Sequence, residues 1–133
     1  MKTVLFSFIL FAFANNLKAQ EKEAFDSLSG TLKISPGSYS RLPIDSIRKM
    51  KCVTINSDRI VFMSADVYFS SSNSTDVTKA ILLGSCFDDQ FLQLWSRLLP
   101  GSSITFDLVK VIDLETKRVR YMQGCSFVVT GDK

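Results

Sequence analysis

Few side chains in this 133-residue sequence are equipped for chemistry, and their spacing argues against most reaction types. Histidine is absent, which removes the commonest general base and the usual activator of a serine or cysteine nucleophile. The most tempting acids are Asp88 and Asp89. Adjacent carboxylates at the start of an apolar-periodic segment read as a helix cap and a dipole contact rather than as an acid–base pair. Glycosidase chemistry needs only two carboxyl groups and survives the missing histidine, but no pair is singled out by its spacing. There is no glycine-rich phosphate loop and no calcium-loop spacing. Three scattered cysteines without histidine do not match a zinc site. The expectation is a protein that is not an enzyme, with no catalytic, cofactor-binding or metal-binding residue.

Cys52, Cys86 and Cys125 are an odd set, so one stays unpaired if two join within the chain. Export would permit a disulfide worth about 2–4 kcal/mol. Cys52 and Cys125 fall in expected strands, and the favoured reading is of buried free thiols acting as small hydrophobes. Asn73-Ser-Thr75 matches an N-glycosylation acceptor. Asp26-Ser27-Leu28 and Asp45-Ser46-Ile47 resemble the three-residue O-glycosylation motif of Bacteroidota periplasmic proteins, which makes Ser27 and Ser46 candidate glycosylation sites.

The elements that hold these residues begin after an expected leader. Lys2, the apolar run Val4–Ala14 and the polar close ending at Ala19 form the pattern of a secretory signal peptide over residues 1–19. An apolar run of about a dozen residues is short of the roughly 20 that a spanning helix needs. No cysteine stands near Gln20 to accept a lipid, so the expected product is periplasmic or secreted, with no membrane anchor. Losing Lys2 and Lys18 with the leader takes the formal charge from +3 to about +1, too weak a field to argue for nucleic acid. Residues 20–30 read as a flexible leader, and 31–133 as a single domain of ordinary size.

Within that domain, Thr31–Ser35 alternates as a half-buried strand does, and Pro36-Gly37-Ser38 breaks it. A short helical turn is expected over 43–50, with Ile44, Ile47 and Met50 recurring every three residues, and a strand follows over 51–56. The longest strand signal runs from Arg59 to Phe69. Its period-two phase places Val61, Met63, Ala65, Val67 and Phe69 on the core and Ile60, Phe62 and Tyr68 on the other face. The serine-rich stretch 70–78 reads as a loop, and a strand resumes over 80–83. Phe91, Leu92, Leu94, Trp95, Leu98 and Leu99 make the stripe of one amphipathic helix over 88–99, capped by Asp88, stapled by Phe87 and Leu92 and stopped by Pro100-Gly101. Strands are then expected over 103–113, with a bulge near Leu108, over 118–122 and over 124–130. Short strands, polar turns and one good helix predict a mainly β fold of the sandwich type.

Phe87-Asp-Asp-Gln90, the helix ending at Leu99-Pro-Gly101 and the strand Ile104–Asp113 resemble the C-terminal domain of GldM (PorM), the periplasmic shaft of the type IX secretion and gliding machinery. The upstream order fits as well, with a Pro-Gly turn, a small helix over 43–50 and a long strand over 60–69, so the resemblance spans about residues 31–130. It implies an immunoglobulin-like β-sandwich acting through protein contacts. GldM carries a membrane helix and further periplasmic domains ahead of this one, whereas here a cleavable leader is expected directly before it. The inference is an accessory or adaptor domain.

The expected function is therefore an exported, non-catalytic protein-interaction module, with a protein partner or self-association through a surface containing Ile60, Phe62 and Tyr68. The alternative is a small-ligand or carbohydrate binder in which Phe62, Tyr68 or Tyr121 offers a stacking surface.

Overall fold

The structure, a computed structural model, describes residues 30–131. The expected signal peptide, the leader up to Ser29 and the candidate site Ser27 lie outside the described residues. The chain order is β1 (Thr31–Ile34), β2 (Tyr39–Pro43), α1 (Ile44–Lys49), β3 (Cys52–Ile55), β4 (Ile60–Ser70), β5 (Val77–Leu83), α2 (Asp89–Ser96), β6 (Ser103–Asp113), β7 (Val119–Met122) and β8 (Cys125–Thr130). The fold is mainly β, a mixed six-stranded sheet with two helices. Its strand order is β2-β8-β6-β4-β5, with β7 also paired to β6. The β2–β8 pairing is parallel and the others in this sheet are antiparallel. A separate parallel pair, β1–β3, contributes Leu32, Ile34, Val53 and Ile55 to the same core. No helix among the described residues is long and apolar enough to cross a membrane.

One face of the sheet supplies Ala65, Val67, Phe69, Ile104, Phe106, Phe127 and Val129 to the core at period two. α2 lies against it. Asp88 caps this helix as its sequence predicts, its Oδ1 accepting from the Phe91 N–H at 2.8 Å. The helix ends at Ser96, earlier than the apolar stripe suggests. The stripe is also narrower: Phe91, Trp95 and Leu98 are buried, Leu92 and Leu94 half-buried, and Leu99 exposed. Phe87 packs on Phe91 and Trp95, with ring centroids 4.6 and 4.9 Å away. Phe69 of β4 closes this aromatic cluster edge-on. Trp95 Nε1 donates to the Ile47 carbonyl at 2.7 Å, tying α2 to α1.

Two bulges correct the expected phase of the long strands. Between Phe62 and Ser64, β4 carries one residue more than β6; between Ser64 and Asp66 the surplus lies on β6. A single extra residue reverses which side chains face inward. Val61 is therefore 43% exposed while Phe62 is 5% exposed, the opposite of the sequence expectation. On β6 the bulge falls where the sequence places it. Leu108 takes the left-handed conformation at φ 46° and its N–H donates to Asp107 Oδ1 at 2.9 Å, and burial moves from Ile104 and Phe106 to Val109 and Val111.

The thiols need a second correction. Cys52 and Cys86 form a disulfide, because the chain leaving β5 passes antiparallel beside the first residue of β3 and brings the two α-carbons within 3.9 Å. Cys125 is the free cysteine among the described residues and is buried. Burial pushes its thiol up to about 12, against a smaller opposing effect of the Ser38 hydrogen bond, so it stays protonated and inert near neutral pH.

Candidate functional site

The bulge at Met63 decides which of the expected surface residues share a face. Phe62 points into the core, and Ile60, in the same phase, packs against it. Tyr68 lies on the outer side of the sheet. Ile60, Phe62 and Tyr68 thus do not form one surface, and Phe62 cannot stack on a ligand. Tyr121 is exposed on β7, away from Tyr68. Ser46 is half-buried on α1, and Asn73 is exposed in the β4–β5 turn. Asp88 and Asp89 sit at the start of α2 with Asp88 engaged as its cap. Among the described residues, no group of three or more His, Cys, Asp or Glu is placed to hold a metal ion.

The outer face gains its apolar character from β5. This strand pairs with β4 over seven consecutive positions without a bulge, from Ser64 opposite Leu83 to Ser70 opposite Val77. Leu82 is buried and Ala80 packs on the core. Strand alternation turns Val77, Lys79, Ile81 and Leu83 outward, leaving the three apolar ones 59%, 58% and 76% exposed. Leu108 adds a further exposed apolar group at the β6 bulge. Beside them on β4 stand Ser64, Asp66 and Tyr68. Lys79 Nζ lies 3.3 Å from Asp66 Oδ2 and 5.9 Å from the Tyr68 ring centroid. The hydrogen bond to Asp66, and then its charge, holds the lysine above its usual range. β5 also ends the strand order, so one side of it carries backbone groups with no strand beside them among the described residues.

Sequence reasoning found only the second half of this strand, since Val77–Lys79 follow the serine-rich turn without a break in polarity. The alternation of Val77, Ile81 and Leu83 against Thr78, Ala80 and Leu82 was the available signal. It is obscured because both faces are apolar from Ala80 onward.

A cleft of about 280 Å³ lies between the β4–β5 turn and the end of α2. The Ser70, Ser74, Thr78 and Ser102 side chains, Asp76 and Arg97 border it, over Leu94 and Leu98. Neither Asp76 nor Arg97 belongs to an ion pair among the described residues.

A third polar cluster braces the sheet instead of opening to a ligand. Asp113 is buried at the end of β6, and its Oδ1 accepts from Arg59 Nε at 3.2 Å, the Glu115 N–H at 2.9 Å and the Thr116 N–H at 3.3 Å. Arg59 also reaches Glu115 at 2.9 Å. The Arg59 hydrogen bond, aided by the two backbone donors and opposed by desolvation, lowers the Asp113 carboxyl from 3.8 to about 2. A depressed carboxylate stabilises the fold above its ordinary value and loses that contribution as pH falls through its folded value. Urea midpoints of the protein should therefore fall more steeply from pH 3.8 toward about 2 than those of Asp113→Asn, which starts less stable at pH 7. Parallel pH profiles for the two proteins would remove Asp113 from the acid response.

No protein-family model matches this chain, and no curated protein matches it.

Proposed function

We propose that this chain is an exported, non-catalytic protein-interaction module of the periplasm or the extracellular space, and that β5 with its outer face is where it docks. The observation that carries this reading is an unbroken edge strand that displays Val77, Ile81 and Leu83 to solvent. Exposed apolar edges of this kind are usually blunted by charge, proline or a bulge, because they template pairing with another chain. Here the one charged residue of β5 leans toward β4, onto Asp66. The Cys52–Cys86 disulfide agrees with export into an oxidising compartment.

The finer fold reading, an immunoglobulin-like sandwich of the GldM C-terminal type, belongs to the same proposal. Two sheets sharing one hydrophobic core support it, while the parallel pairs β1–β3 and β2–β8 depart from an all-antiparallel sandwich. On this reading the protein serves secretion or gliding machinery as an accessory.

A second reading has one observation in its favour. The cleft pairs hydroxyl groups with an unpaired carboxylate and guanidinium over two leucines, a surface that suits a small carbohydrate. Affinity capture from periplasmic extract with wild-type and Ile81→Asp baits, alongside a glycan panel read with Arg97→Ala, separates the two. Docking through β5 predicts a retained protein that the Ile81 variant loses. Glycan binding that depends on Arg97 and ignores Ile81 would transfer the function to the cleft.

A further inference from the structure

We propose that the outer flank of the β6–β7 hairpin is a docking surface for an anionic phospholipid bilayer. It lies on the opposite flank of the sheet from β5 and does not depend on how that edge is used. Strand register builds an apolar row here. Val61 of β4 stands beside Ile112 of β6, and Ile112 beside Val119 of β7. These three lie on the outer face, Val61 and Val119 exposed and Ile112 half-buried between them. Leu114, one turn beyond, and Tyr121, next along β7 on the same face, are exposed as well. The row spans about 10 Å across three strands.

Cations rim this row. Lys110 stands beside Tyr121 on the outer face, Lys117 and Arg118 follow the turn, and Arg120 alternates with Val119 and Tyr121 along β7. None of the four belongs to an ion pair among the described residues. Both acids of the turn, Asp113 and Glu115, are held by Arg59. Residues 110–121 with Arg59 thus set five cations against two acids, while Asp58 and Asp107 stand at the margins. The turn presents this charge in a fixed shape. The Asp113 carboxylate accepts from the Glu115 and Thr116 N–H groups, the Lys117 N–H donates to the Asp113 carbonyl at 2.7 Å, and the Asp113 N–H donates to the Arg118 carbonyl at 2.9 Å.

Shape and charge together select the occupant. Val61, Ile112 and Val119 are β-branched side chains of similar height on adjacent strands, so they form a level surface and not the groove that an amphipathic helix needs. β7 has four residues, too short a ladder to hold an added peptide strand by its backbone. A level apolar row with a tyrosine beside it and unpaired Lys and Arg around it matches the anionic bilayer interface. There aliphatic groups enter among the headgroups, tyrosine sits at their depth, and each cation gains from the negative surface potential. The contact is peripheral and salt-sensitive.

Co-sedimentation of the full chain with vesicles tests this, using phosphatidylcholine alone and phosphatidylcholine mixed with phosphatidylglycerol. The apolar run Val4–Ala14 would itself bind lipid, so the readout is the gain on adding phosphatidylglycerol and its loss in variants. Lys117→Glu with Arg118→Glu should cut that gain at least about tenfold. The same reversal at Arg48 and Lys49, two exposed cations of α1, changes the net charge equally and should leave most of it. About 0.5 M salt should release the protein from the mixed vesicles toward the level seen on phosphatidylcholine. Leu114→Ser with Val119→Ser should also weaken the gain, since both side chains enter the interface. Near-ultraviolet dichroism of the Trp95 cluster confirms that each variant is folded. No gain with phosphatidylglycerol, or equal losses from the hairpin and α1 reversals, overturns the proposal. A gain that needs the hairpin cations but ignores Leu114 and Val119 overturns it too, because the flank would then be a site for a soluble polyanion.

Discussion

Replacing Trp95 by alanine is expected to lower folding stability by about 3–5 kcal/mol, the usual cost of emptying a buried tryptophan site. The indole is 2% exposed and touches three other rings, those of Phe69, Phe87 and Phe91. Its Nε1 donates to the Ile47 carbonyl at 2.7 Å. Removal opens a cavity between α2 and β4 and also takes the indole donor from the Ile47 carbonyl, which keeps only the Met50 N–H at 3.1 Å. Trp95→Phe separates the two effects. It keeps most of the ring packing and loses the hydrogen bond, so its cost should fall to about 1–3 kcal/mol. Against a total of about 5–15 kcal/mol for a domain of this size, the alanine variant sits near the limit of folding. Urea midpoints supply the measurement. An alanine variant within about 1 kcal/mol of wild type would mean that the site collapses without penalty and that Trp95 does not anchor α2.

That anchor was legible before any coordinates. An acid at the cap position, a period of 3.6 residues and a Pro-Gly stop all act within a dozen residues of one another, so the sequence states α2 locally. The alternating strands β6 and β8 are legible for the same reason. β4 shows where local reading ends. Its period is correct, but an extra residue at Met63 reverses the phase of Phe62 relative to Phe69, and nothing in the composition around Met63 distinguishes a bulge from regular strand. β2 is missed for a different reason. Tyr39–Pro43 places a single buried aliphatic, Leu42, between polar and exposed neighbours, and its pairing with β8, far along the chain, is what makes it a strand.

The candidate surface follows the same division. Tyr68 belongs to the outer face, as its alternation suggests, whereas Ile60 and Phe62 were assigned to it by a phase that holds only beyond the bulge. The apolar part of the face comes instead from β5, whose edge position is a property of strand order and not of any residue in it. Lys79 is the one charged residue of this edge strand. Only its contact with Asp66 reveals that it is turned onto the neighbouring strand.

Cysteine pairing is the sharpest case, since an odd number of thiols and a separation of 34 residues leave the choice to tertiary structure. Cys52→Ser combined with Cys86→Ser is expected to cost about 3–4 kcal/mol through the restored freedom of the unfolded loop. The native join should survive the substitution, because the Val53 N–H donates to the Ser85 carbonyl at 2.7 Å and the Phe87 N–H to the Lys51 carbonyl at 2.8 Å on either side of the sulfurs. Two signatures follow. Near-ultraviolet dichroism from the Trp95 cluster should be unchanged, and the urea m-value should rise, since a chain without its cross-link exposes more surface when unfolded. A loss of stability at constant m, with altered dichroism, would place the effect in the folded state instead. The loop that the disulfide closes contains the whole β4–β5 hairpin, so the cross-link limits how far the β5 edge, the proposed docking strand, can open. Faster exchange of β5 amides than of β8 amides in the double variant would show that the same bond that stabilises the domain also keeps its exposed strand in register.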